Sequence, residues 1–222
     1  MSKGSIKSIS NPFNDYYIVK IAVEENFKWD AGQYGIFKLN TTIEGDKNQR
    51  IFSFASIMEE NEILVGTRVG SKISKFKEIF LNLEVGDEIE IKGPMGKFML
   101  RDNSEPIVMI AGGVGITPIR GLFKELEKDN LRDVNLVYSS MDNYLFLDDL
   151  QAVAKKDSKI SVHTVTTPEN TQSKIREMTK QYKNNAIYYV SGSPGLIKAI
   201  QNILAEEGIE KERIIFDSFM GY

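Results

Sequence analysis

The chain of 222 residues carries 28 Lys and Arg against 31 Asp and Glu, a net charge of −3, which excludes the strongly basic surface of a nucleic-acid binder. Its 41% hydrophobic and 27% charged content is ordinary for a globular protein of one large or two small domains, and no apolar run is long enough to span a bilayer. With no cysteine and a single histidine, disulfides, thiolate nucleophiles, cysteine-held iron–sulfur clusters and multi-histidine metal sites are excluded, so any redox chemistry calls for a non-covalent organic cofactor.

The first residues lack the apolar core of a signal peptide, which makes the cytoplasm the expected location. The β-branched run at 17–23 reads as a strand, followed by strands at 34–39, 50–56 and 62–68 with alternating apolar positions. A short helix is expected over 73–80, a turn at 84–87, a strand at 88–92 and another turn at 93–96. Short strands with intervening turns predict a small antiparallel β-barrel over residues 1–102. The polar stretch 101–106 marks the boundary.

From residue 103 the period changes. Strand-like runs at 107–111, 134–138, 160–165, 186–191 and 213–216 alternate with helical patterns at 118–128, 147–155, 171–182 and 195–207. That alternation predicts an α/β domain with a doubly wound, mostly parallel sheet over 103–222. His163, on a predicted strand, reads as a packed or exposed strand residue rather than a ligand. The most informative segment is Pro106-Ile-Val-Met-Ile-Ala-Gly-Gly-Val-Gly-Ile-Thr-Pro118. A buried strand runs into Gly112, Gly113 and Gly115, which permit close approach of another group to the backbone. Thr117 is the expected cap of the following helix and Pro118 suits its first turn. A glycine turn at a helix start suits a dinucleotide pyrophosphate, although by itself it equally suits a tight strand-to-helix connection.

Several motifs occur in a fixed order and together resemble the ferredoxin–NADP reductase family over almost the whole chain. Arg50-Ile-Phe-Ser53 is similar to its R-x-Y-S flavin motif, extended by Ser56 toward the FAD form. Gly70-Ser-Lys-Ile-Ser74 resembles its G-G-x-x-S segment, with Ser71 in place of the second glycine, and Gly93-Pro-Met-Gly-Lys-Phe98 its G-P-x-G-x-F turn. Ala111 to Pro118 resembles the A-G-G-x-G-I-T-P loop for the nicotinamide dinucleotide. Ser191-Gly-Ser-Pro194 sits where the family has C-G-x-P, and Asp217-Ser-Phe219 where it has E-x-F or E-x-Y.

The resemblance implies hydride transfer from NADH or NADPH to bound FAD, and passage of electrons to a separate acceptor, a ferredoxin, a flavodoxin, a partner enzyme or free flavin, with a protein acceptor favoured; no metal and no iron–sulfur cluster is expected in the chain. It implies that Arg50 neutralises the flavin diphosphate, Phe52 packs on the flavin, Ser53 bonds near its reactive nitrogen, and Lys72, Ile73 and Ser74 offer backbone amides, with Gly70 shaping that loop and Arg68 a further FAD contact. On periodicity alone, Arg50 forms a surface ion pair, Phe52 faces the core and Ser74 is a plain helix cap. Ser191, Gly192, Ser139 and Thr166 are implied in nicotinamide dinucleotide binding. Ser53, Ser191 and Asp217 are the implied catalytic set, and Phe219 or Tyr222 the aromatic gate. The ends of the second and third predicted strands, 139–142 and 165–168, carry no cation for a 2′-phosphate, and Asp142 would repel one; NADH is favoured, with Lys174 and Arg176 the only cations placed to reach back. Two other functions fit the same residues: an electron-transfer subunit of a larger redox complex, and a non-catalytic NADH-sensing module.

Overall fold

A computed structural model describes residues 2–101, 104–128 and 131–217. The chain divides into two compact units at the Met99–Leu100 junction.

The first unit is a six-stranded antiparallel sheet of β1 (Ser2–Phe13), β2 (Tyr16–Val23), β3 (Tyr34–Lys38), β4 (Gln49–Ser53), β5 (Ile63–Arg68) and β6 (Glu88–Met95), in the order β4-β3-β6-β1-β2-β5. The two outer strands meet: past β4, Ala55 N–H donates to the Leu64 carbonyl of β5 at 2.7 Å. This bond closes the sheet into a barrel, as predicted, and removes its open edges. The interior is aromatic. Phe27, Trp29, Phe37, Phe52, Phe54, Phe76 and Phe80 are all buried, the last two supplied by the helix α1 (Lys75–Leu81). Ser74 caps α1, its side chain accepting from Lys77 N–H at 3.3 Å, a bond that satisfies one of the free donors of the first turn.

The second unit is a five-stranded, wholly parallel sheet of β7 (Ile107–Gly112), β8 (Val134–Ser139), β9 (Ile160–Val165), β10 (Ile187–Ser191) and β11 (Ile214–Phe216), in the order β11-β10-β7-β8-β9. Its crossovers are α2 (Ile116–Leu126), α3 (Leu147–Lys156), α4 (Pro168–Tyr182) and α5 (Pro194–Glu206). Every residue from Ile107 to Ala111 is buried, as the continuous apolar run requires of a strand covered on both faces. Residues of α4 and α5, among them Ile175, Met178, Ile200 and Leu204, form one core with Val108, Ile110, Tyr188 and Val190. On α2 and α3, Arg120 is buried, ion-pairs with Asp149 at 2.7 Å and lies over the Phe146 ring at 5.4 Å. The chain moves outward from β7 through β8 and β9, then returns to the other side of β7 as β10. The C-terminal ends of β7 and β10 are therefore the point where the winding reverses, the place where doubly wound sheets bind ligands.

Two local expectations are corrected. The twelve-residue β1, Ser2-Lys-Gly-Ser-Ile-Lys-Ser-Ile-Ser-Asn-Pro-Phe13, is absent from the strands read off the sequence. Its alternation is broken where the pairing with β2 slips between Ile6 and Ser8, a bulge that shifts the buried face by one residue. Thr117 does not cap α2. The helix starts at Ile116 after a 3-10 turn over Gly113–Gly115, and the Thr117 hydroxyl lies inside the first turn, donating to the Val114 carbonyl at 2.8 Å.

Candidate functional site

In the first unit, Arg50 stands at the start of β4 beside α1. Its guanidinium donates to the Lys47 carbonyl at 3.1 Å, the Gln49 carbonyl at 2.8 Å and Asp46 Oδ1 at 2.5 Å, and lies 5.2 Å from the Phe76 ring centre. The other carboxylate oxygen, Asp46 Oδ2, accepts from Phe76 N–H at 3.1 Å. Arg50 and a backbone amide of α1 thus already converge on one anion, the chemistry a diphosphate needs. The Arg50 contact and the Phe76 N–H bond hold the Asp46 carboxyl down at about 2, from an ordinary 3.8. Lys77 adds positive charge: burial, and then the neighbouring Arg50, lower its pKa, and its Nζ donates to the Arg68 carbonyl at 2.7 Å.

The other first-unit residues divide. Gly70, Lys72 and Ile73 are exposed on the loop before α1, and a Cβ on Gly70 would meet nothing within 4 Å. Ser53 is buried on β4, opposite Tyr34 of β3. Phe52 turns inward, its ring stacked 5.2 Å from Phe80 and edge-on to Phe37 at 5.4 Å. The reason is register: Phe52 faces the same side as its cross-strand partner Gly35, whose missing side chain leaves room for rings in the barrel interior. Its ring is committed to the core rather than offered as a stacking surface. Ser56 is fully buried; its Oγ accepts from Leu64 N–H and its carbonyl from Trp29 Nε1, each at 3.0 Å. Its hydroxyl completes the barrel seam. Arg68 pairs with Asp15 at 2.5 Å and lies 5.1 Å from the Tyr16 ring centre, across the β2–β5 pairing.

In the second unit the predicted glycines and Ser191 meet at the ends of β7 and β10. Gly113 has φ of +52°, which starts the 3-10 turn into α2. A Cβ on Gly115 would lie 2.5 Å from the Ser191 carbonyl carbon and oxygen, so the β7–α2 turn packs backbone to backbone on the β10–α5 turn. A Cβ on Gly112 would lie 2.0 Å from Leu196 Cδ2, and one on Gly192 2.8 Å from the same methyl. The missing side chains thus make room for Leu196 and for the β10 backbone, and the turn they form leads into a helix at the point where doubly wound sheets bind ligands. Pro118 is buried in the first turn of α2.

Ser191 Oγ donates to Asp217 Oδ2 at 3.0 Å, both residues being buried, and Asp217 N–H donates to the Val190 carbonyl at 2.9 Å. Two residues 26 apart in the chain are thereby locked together at the end of β10. Ser139 Oγ and Thr171 Oγ1 lie 2.9 Å apart, tying the end of β8 to the first turn of α4, whereas Thr166 is exposed. Arg176 is paired with Glu206 at 2.5 Å and also with Glu207, and Lys174 with Glu177 at 2.6 Å. His163 is half-buried on β9 with Nε2 3.2 Å from Asn135 Oδ1; burial, and then Lys174, lower its pKa. Phe219 and Tyr222 lie outside the described residues.

Asp46, Lys77, Thr171 and Leu196 escaped the sequence reading. Asp46 had a usable signal, an acid four residues before Arg50; the rest depend on contacts that no local spacing encodes.

The sequence family described as an oxidoreductase NAD-binding domain matches residues 109–202. The reductase component, ferredoxin–NAD(P)(+), of the naphthalene 1,2-dioxygenase system of Pseudomonas putida is 22% identical, aligned over 98% of this chain and 68% of its own length. The toluate 1,2-dioxygenase electron transfer component of the same organism is 24% identical over 90% of this chain and 62% of its own. The chain thus spans roughly two thirds of these curated relatives. Among solved structures, the ferredoxin–NADP+ reductase of Plasmodium falciparum superposes with a TM-score of 0.82 at 19% identity, covering 97% of this chain and 95% of that one. The chain therefore shares the fold of that reductase along nearly its whole length, and residues 109–202 match an oxidoreductase NAD-binding family.

Proposed function

We propose that this protein is a flavin-dependent NAD(P)H oxidoreductase, with residues 1–102 holding FAD and residues 103–222 holding the nicotinamide dinucleotide. The observation that carries the reading is the glycine turn where the sheet winding reverses, packed on the β10 end that carries the Ser191–Asp217 pair, the turn and Ser191 lying inside the segment matched by the NAD-binding family. When bound, FAD supplies a ring that accepts hydride and hands electrons on singly or in pairs.

The chain's own residues have holding roles. Arg50, with the amides around Lys72, Ile73 and Ser74, neutralises and orients the diphosphate. Ser53 places a hydroxyl on the barrel strand next to the flavin ring. Gly112, Gly113, Gly115 and Gly192 bring backbone to the second pyrophosphate, and Ser139 and Thr166 face the adenosine ribose. Ser191 presents a small polar wall to the nicotinamide, its hydroxyl oriented by Asp217. Where the family places a thiol, a hydroxyl held by a carboxylate is a smaller and more strongly hydrated neighbour. Phe219 or Tyr222 is proposed to gate the flavin face.

NADH is the proposed donor. The ends of β8 and β9 carry no cation, and the two candidates that could reach back are engaged by Glu206, Glu207 and Glu177. The proposed acceptor is a protein, a ferredoxin or an oxygenase component, as the names of the dioxygenase relatives suggest. That reading includes service as the electron-transfer subunit of a larger complex. Among the described residues no helix is long and apolar enough to cross a membrane; the cytoplasm, with its reduced nicotinamide pool, is the proposed place of action.

The test is a visible absorption spectrum of the purified protein before and after incubation with FAD, followed by anaerobic addition of NADH. Uptake of FAD and bleaching by NADH are expected. Flavin retained but unbleached would leave a sensing module in place of an enzyme.

A further inference from the structure

We propose that Asp46 is a built-in competitor for the flavin diphosphate, occupying its anion position and yielding it when FAD binds. The inference rests on the reading of Arg50 as the diphosphate residue. The carboxylate has the donors of a bound anion rather than those of a casual surface pair. Oδ1 accepts from Arg50 at 2.5 Å and from Lys47 N–H at 2.7 Å, and Oδ2 accepts from Phe76 N–H at 3.1 Å. Phosphate oxygens use the same donor types.

Charge balance favours exchange. Arg50 and Lys77 lie close enough for each charge to act on the other, and Lys75 adds a third cation whose Nζ donates to the Glu44 carbonyl at 2.7 Å. One carboxylate leaves this group with excess positive charge, which a diphosphate can neutralise further. The competitor also sits on a segment that can move away. Asp46 belongs to the loop between β3 and β4, where Gly45 has φ of +76° and the flanking Glu44 and Lys47 are exposed. The pair keeps the Arg50 guanidinium turned toward its own loop, donating to the carbonyls of Lys47 and Gln49. Asp46 therefore sets the affinity for phosphate-bearing flavins and is silent toward a flavin without phosphate.

The experiment measures dissociation constants of FAD and riboflavin by quenching of flavin fluorescence in the wild type, D46N and D46S. Asparagine keeps the acceptor for Phe76 N–H, and serine removes the charge with a smaller side chain, so a folding defect in one is checked by the other. The expected result is that both variants bind FAD about threefold or more tightly, the factor corresponding to a released weak ion pair, with riboflavin unchanged. In an R50Q background the same D46N change should leave the FAD constant unaltered. Weaker FAD binding in D46N would overturn the proposal and make Asp46 a positioning residue for Arg50. Equal tightening of FAD and riboflavin would overturn it by placing the effect away from the phosphates. Failure of the wild type and all variants to bind either flavin would overturn the flavin assignment itself, and the proposal with it.

Discussion

Single residues carry much of the chemistry, and most are held by one or two identifiable contacts. The Ser191–Asp217 bond is buried, so removing its donor is costly: S191A should lower unfolding stability by about 1–3 kcal/mol, whereas D217N, which keeps an oxygen acceptor, should lose less. Chemical denaturation of both variants measures the difference. Glycine 115 is fixed by sterics. Its missing Cβ would sit 2.5 Å from the Ser191 backbone, which cannot yield as a flexible side chain can. G115A should therefore cost about 2–3 kcal/mol. Gly195, in the first turn of α5, has nothing within 4 Å of its virtual Cβ, so G195A should be neutral or stabilising by up to about 1 kcal/mol. Comparing the two melting temperatures separates a structural glycine from an incidental one. Asp46 gives a pH signature. Its folded pKa is lowered from 3.8 to about 2, so the stability it contributes is present in full above 3.8 and is lost as pH falls through about 2. The difference in unfolding midpoint between wild type and D46N should be constant near neutrality and close across that window.

At the scale of elements, the barrel depends on α1 as a plug. Phe80 is fully buried and its ring packs 5.2 Å from Phe52 and 5.7 Å from Phe76. F80A should cost about 3–5 kcal/mol, read from denaturant unfolding of the first unit. The same cluster shows what was legible in the sequence and what was not. The alternation around residues 50–56 revealed a strand and a buried Phe52, but not which neighbour would cover the ring, because the partners Phe76 and Phe80 arrive from a helix more than twenty residues away. Ser56 read as a cofactor contact because its spacing from Arg50 matched a motif, yet its hydroxyl is needed to close the barrel seam on Leu64. Strand β1 was illegible because its bulge breaks the period on which recognition depends. The parallel sheet was legible almost in full, because strands covered on both faces are written as unbroken apolar runs and their helices as a 3.6-residue period. The start of α2 was not, since a 3-10 turn carries no sequence signature beyond its glycines.

At the scale of the molecule, two units of different architecture each carry a proposed anion site of their own: cations around a single carboxylate at Arg50, and a glycine turn where the sheet reverses its winding at β7 and β10. With no cysteine and one histidine the chain lacks the ligands of a cysteine-held cluster or a multi-histidine site, and the proposed chemistry relies on organic cofactors. The central claim is that electrons move from a pyridine nucleotide to a flavin held by this one chain. The most direct measurement is anaerobic stopped-flow mixing of FAD-loaded protein with NADH, and separately with NADPH, followed in the visible flavin band. The account predicts full bleaching with NADH, faster at equal concentration than with NADPH. A flavin band unchanged by either nucleotide, in protein that holds FAD, would contradict it.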